Sequence, residues 1–155
     1  MSKRINTKKY MKRGYELHRA IEIKKEQVAS IRAFLYDATV SLDEEHVSKT
    51  CNVSSMGDSV VQIIQLEEEI KKDMTQLAII QRETAAIINR LDNMTMRSVL
   101  TKYYVCFKSW DTIRAEMHIS RKYGFNVHAA ALTQIDAILN PSCRGTPKGE
   151  VTANE

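Results

Sequence analysis

SWDTIRAEMHISRKYGFNVHAAAL, residues 109–132, is the stretch that decides how this chain is read. Ser109 is a natural helix N-cap, because its hydroxyl accepts a bond from an orphan N–H of the first turn. Trp110 to Met117 then reads as a short helix, and His118-Ile119-Ser120 as a turn whose last residue caps the next helix. Arg121 to about Leu139 reads as a longer helix, stopped by Asn140-Pro141. A short helix, a tight turn and a longer helix form a helix-turn-helix pattern. Ile113 and Met117, one helical turn apart, supply the inward face of the first helix. Val127, Ala131 and Leu132 supply that of the second. Trp110 is expected to anchor the unit against a preceding helix, Met94 to Phe107, with Met96, Val99, Leu100, Tyr103 and Tyr104 apolar.

Upstream the pattern is longer and sparser. Leu17, Ile21, Val28, Ile31, Leu35, Ala38 and Leu42 alternate steps of four and three, with Lys24 interrupting. A period of 3.5 is a coiled-coil stripe, and such a helix of about 30 residues is about 45 Å long. Val60, Ile63, Ile70, Met74, Leu77, Ile88 and Leu91 form a second seam, with Glu67, Gln81 and Thr84 as weak points. Between them, about 43–58 reads as a loop, with Asp58 as the N-cap of the second helix. Two single-stripe helices are not stable alone in water, so they pack together, with a second chain, or both. Asp92-Asn93 marks the next break.

The 155 residues suit one domain or a small domain with an extended appendage. Only 5 Gly and 2 Pro occur, which disfavours an all-β fold and leaves no Gly-rich phosphate loop. No apolar run approaches the roughly 18 residues of a membrane span, and no apolar h-region follows the basic N-terminus. The expectation is a cytoplasmic protein of a bacterial host cell, with no membrane partner. Cys51, Cys106 and Cys143, together with His46 and His118, lack any C-x-x-C-like ligand spacing, so neither a metal nor another cofactor is expected. No nucleophile–base set is legible, so the chain does not read as an enzyme.

Charge is segregated. Residues 1–40 hold ten Lys/Arg against four Asp/Glu, residues 41–92 five against ten, and residues 93–155 eight against five. This fits a nucleic-acid partner, and fits equally the basic and acidic segments pairing with each other. The run Lys3, Arg4, Lys8, Lys9, Lys12, Arg13 reads either as a phosphate-binding arm or as a frayed, solubilising terminus.

RSVLTKYYVCFKSWDTIRAEMHISRKYGFNVHAAAL, residues 97–132, resembles the C-terminal part of phage-encoded regulators of the ArpU/RinA type, whose helix-turn-helix is similar to region four of bacterial sigma factors. The resemblance rests on Arg97, Leu100, Tyr103, Trp110, Ile113, Met117, Ser120, His128, Ala131 and Leu132, and extends to DSVVQIIQLEEEI at 58–70. It implies a DNA-binding transcription regulator of phage or mobile-element genes. Three positions depart from the usual pattern. Arg114 stands where the crossing helices want a small residue, His118 where the turn wants Gly, and Gly124 where a β-branched residue packs inward.

The sequence therefore reads as all-α: a long antiparallel, coiled-coil-like helical hairpin followed by a C-terminal helix-turn-helix. Residues 1–14 form a basic arm, 15–92 the hairpin, 93–140 the helix-turn-helix domain and 141–155 a disordered tail. Double-stranded DNA is the expected partner, with helix 121–139 in the major groove. Ser120, Arg121, Lys122, Phe125 and Asn126 would contact bases or backbone, and Lys108 and Ser109 would face phosphate. The hairpin is expected to make a homo-oligomer or to touch RNA polymerase. The alternative is a protein–protein interaction module with a degenerate, non-DNA-binding helix-turn-helix, favoured by Arg114, His118 and Gly124.

Overall fold

The computed structural model describes residues 4–44 and 53–141. Its long elements are helices: α1 (Thr7–Glu44), α2 (Val53–Ile88), α3 (Met94–Leu100), α4 (Trp110–Met117) and α5 (Arg121–Leu139). They fall into two units, one of Lys12–Thr84 and one of Met1–Met11 with Ala85–Glu155.

In the first unit α1 and α2 pack against each other. The buried seam is Ile21 and Val28 on α1, with Ile63, Ile70, Leu77, Ile80 and Thr84 on α2. Arg13 pairs with Glu83, Lys24 with Asp73 at 2.7 Å and Glu69 at 3.0 Å, and Arg32 with Glu67. Positions climb along α1 as they descend along α2, so the hairpin is antiparallel. Lys24, the break in the α1 stripe, reaches a carboxylate of α2 rather than leaving a hole. Several basic residues of α1 thus meet acidic residues of α2. Exposed pairs of this kind add little stability each, but they set register.

Two seam assignments need correction. Val60 and Met74 are about half exposed. The buried line instead steps by seven through Ile63, Ile70, Leu77 and Thr84, as a supercoiling helix demands. Thr84, a weak point by composition, is 1% exposed. The loop is also shorter than 43–58, because α1 runs to Glu44 and α2 starts at Val53. Asp58 lies inside α2 and caps nothing. The small polar residues here satisfy themselves within the helix: Ser59 Oγ donates to the Ser55 carbonyl at 2.9 Å. Residues 45–52 and 142–155, with His46, Cys51, Cys143 and the expected disordered tail, lie outside the described residues.

The second unit has a compact core of Met11, Ile88, Leu91, Leu100, Tyr104, Ala131 and Ile135. The expected basic arm is not free here. Asn6 Oδ1 accepts from Lys9 N and starts α1 at Thr7. The buried Asn140 clasps Ile5: its Oδ1 accepts from Ile5 N at 2.9 Å, and its Nδ2 donates to the Ile5 carbonyl at 3.0 Å. Asp136 accepts from Thr7 Oγ1 at 2.7 Å and from Arg4 Nη2 at 2.9 Å. These bonds hold the Asp136 carboxyl below its usual range.

Asn93 caps α3 through the Met96 N–H. Beyond Leu100 the helix widens into a π-helical turn, Thr101–Val105, in which Cys106 N donates to the Thr101 carbonyl at 2.9 Å. Phe107, at φ 54°, ends it in a left-handed conformation.

Candidate nucleic-acid interface

α4 and α5 are joined by the turn His118–Ser120. Ser109 Oγ accepts from Thr112 N at 3.2 Å and Ser120 Oγ from Tyr123 N at 3.2 Å, so both hydroxyls act as caps. His118 takes φ 53°, ψ 42°, the left-handed conformation that Gly adopts without penalty. Its N–H and that of Ile119 both return to the Arg114 carbonyl and close the end of α4.

The pair is held by an aromatic cluster. Tyr103 lies 5.1 Å from Trp110, ring centre to ring centre, so Trp110 does pack on the preceding helical segment. Trp110 lies 4.8 Å from Phe125 and 5.3 Å from His128. Tyr104 OH and His128 Nε2 share a hydrogen bond of 2.9 Å, and burial pushes the Tyr104 phenol well above its usual range. Gly124 is buried against this cluster. A Cβ there would sit 3.4 Å from Ile119 Cδ1 and 3.6 Å from Trp110 Cζ3, which are ordinary contacts. The indole occupies the space that a larger residue at 124 would fill. Arg114 is half-buried, and its guanidinium reaches Asp111 at 3.0 Å instead of ending in the helix crossing.

The expected contact residues separate into three groups. Ser109 and Ser120 are structural caps whose hydroxyls already have bonds. Lys108 is committed to Glu116, which it shares with Lys102, and the two ammonium groups hold the Glu116 carboxyl below its usual range. Arg121, Lys122 and Asn126 are exposed on the first two turns of α5. Among the described residues no carboxylate pairs with Arg121 or Lys122. Phe125, 40% exposed, has one face on Trp110, and Arg121 lies 5.6 Å from its ring centre. That distance suits a cation–π contact that orients the guanidinium. Tyr123, half exposed between Lys122 and Gly124, is a further surface residue of this turn that carries no motif signal in the sequence.

On the helical wheel the buried side of α5 is Gly124, Ala131 and Ile135. At about 100° per residue the opposite side carries Lys122, Asn126, Ala129 and Thr133, all exposed. Arg121 and Phe125 flank this ridge on one side and Tyr123 on the other. The arrangement offers a cation and an amide on an outward ridge, with a second cation beside them. It offers no nucleophile–base pair. Among the described residues no group of His, Cys, Asp and Glu is clustered for a metal ion, and no helix is long and apolar enough to cross a membrane.

No curated protein and no solved structure matches this chain. The profile of one family, described as a protein of unknown function (DUF1492), matches residues 48–136, from before α2 into the last turns of α5. That is more than half of the sequence, and the chain belongs to this family.

Proposed function

We propose that this chain is a DNA-binding transcriptional regulator in which α4 and α5 act as a helix-turn-helix and α5 reads the major groove. One observation carries the reading. Lys102, Lys108 and Arg114 are each tied to an acidic side chain, whereas Arg121 and Lys122 stand exposed at the start of α5 without one among the described residues. Cations at a helix N-terminus oppose the helix dipole, so the fold gains little from them beyond the Arg121–Phe125 contact. Arg recognises guanine and Asn recognises adenine by paired hydrogen bonds, and Lys suits guanine or phosphate. The resemblance to ArpU/RinA-type regulators supports the same reading and suggests control of phage or mobile-element genes.

The roles are narrower than the sequence suggested. Lys122 and Asn126 are assigned to the groove floor and Arg121 beside them, with Phe125 holding Arg121 in place. Ser109 and Ser120 act only by fixing the helix starts. Anisotropy with a mixed-sequence duplex tests this over a salt series. Wild type should lose affinity steeply with salt, and Arg121→Ala/Lys122→Ala should bind several-fold more weakly at every salt. Equal binding by the two proteins contradicts the assignment.

A second reading, a helical protein-interaction module, has its own support in the hairpin. Phe34, Tyr36, Val40, Val60, Val61 and Ile64 are exposed, and the antiparallel register brings them to the same end. Under the first reading this end mediates self-association or contact with RNA polymerase. Under the second it is the whole function, and no duplex binding follows.

A further inference from the structure

We propose that Arg97, with Asn89, Ser98 and Thr101 around it, forms a phosphate-binding site on α3 and the π-helical turn, built from residues other than those of α5. A surface cavity of about 380 Å³ lies there, also bordered by Lys102 and Cys106, and no carboxylate lines it.

Arg97 has no ion pair among the described residues, unlike Lys102, Lys108 and Arg114 of the same unit. Its guanidinium has no hydrogen bond or ion pair among the described residues, and its Nε is buried from solvent without a partner. A buried donor on a permanently charged group is costly to leave unmade. Nε itself is out of reach of an outside ligand, so an anion in the cavity would meet the terminal nitrogens of the fork. The side chains of Asn89, Ser98 and Thr101 also have no hydrogen-bond partner among the described residues, and each supplies a neutral donor. Lys102 is committed to Glu116 and adds positive field rather than a bond.

Helical spacing collects these groups. Arg97 and Thr101, like Ser98 and Lys102, are four apart and share a face. The π-helical turn then brings Cys106, five residues after Thr101, to the same rim. A planar fork and several neutral donors from different directions suit a tetrahedral, many-oxygen anion. The group is therefore a phosphate, carried either by a nucleic-acid backbone or by a free phosphate or phosphate monoester.

Two arms on the full chain test this and separate the sources. The first compares thermal melting in sodium phosphate with sodium chloride at matched ionic strength, for wild type and Arg97→Gln. Stabilisation of wild type alone supports a free-phosphate site. The second measures affinity for mixed-sequence duplex DNA against salt. A several-fold loss in Arg97→Gln across unrelated sequences, with the log–log salt slope shallower by about one, assigns the site to a backbone phosphate. If the chain binds no duplex at all, the first arm still decides. Should Arg97→Gln melt below the working temperature, two measurements replace it. Arg97→Lys, which keeps the charge and loses the fork, is expected to be intermediate. Alkylation of Cys106, followed by peptide mass mapping, is expected to slow in phosphate for wild type. Equal behaviour of wild type and variants in both arms, with alkylation indifferent to phosphate, overturns the proposal.

Discussion

His118 and Gly124 show how single residues shape the candidate site, and Asp136 how one carboxylate holds Thr7 and Arg4. His118 holds a left-handed turn at φ 53° with a Cβ that a glycine would not have to accommodate. His118→Gly should therefore stabilise the chain by about 1 kcal/mol, and His118→Val should destabilise it by more than that. Gly124 sits in helix with room for a methyl against Ile119 and Trp110. Gly124→Ala is expected to gain about 0.5–1 kcal/mol in chemical denaturation. The larger Gly124→Val presses on the indole and should gain less. From the sequence alone these residues looked like defects of a degenerate motif. The left-handed demand at 118 was legible, since it follows from turn geometry. The indole beside Gly124 was not, because nothing local predicts which side chain fills a missing one. Asp136 titrates with a known sign. Its folded-state pKa is depressed by Thr7 and Arg4, so its contribution is present above about pH 3.9, the ordinary Asp value, and is lost as pH falls below it. Acid unfolding followed by circular dichroism should show this, and Asp136→Asn should flatten the profile in that window.

Most elements were legible from a period or a cap, the start of α2 excepted, since Asp58 lies inside that helix. The breaks at Asn93, Ser109 and Ser120 follow from capping chemistry, and each side chain makes its cap bond. Seam membership was legible only to within a flank, because a gapped stripe fits two neighbouring lines of a helix. Met74 and Leu77 both fitted the pattern, yet Leu77 is 9% exposed and Met74 50%. Leu77→Ala should cost about 2–4 kcal/mol, and Met74→Ala less than about 1, in paired urea melts. Comparable costs would contradict the seven-residue seam. The clasp of Asn140 on Ile5 spans most of the chain and left no sequence signal. Two partly buried hydrogen bonds at up to about 1 kcal/mol each predict that Asn140→Ala loses about 1–2 kcal/mol.

At the scale of the whole molecule, charge is the property that the structure most changes in meaning. The acidic middle of the sequence spends several of its carboxylates on α1, through Glu83, Asp73, Glu69 and Glu67. In the α3–α5 region half of the cations, Lys102, Lys108 and Arg114, are likewise taken by Glu116 and Asp111. The net +4 of the chain therefore says little by itself. Within the α3–α5 region, what remains is Arg121 and Lys122 at the start of α5, and Arg97 in its cavity. The all-helical fold with its packed pair of long helices could be read from periodicity. Partner identity could not, because it depends on which charges the fold leaves uncommitted. Sequence reading by α5 is tested by selecting bound sequences from pooled random duplex DNA, beside the Arg121→Ala/Lys122→Ala variant at moderate salt. Wild type is expected to select a defined motif that disappears in the variant. Motif-free binding that fades with salt and is the same for both proteins would contradict sequence reading by α5 and leave the hairpin as the functional part.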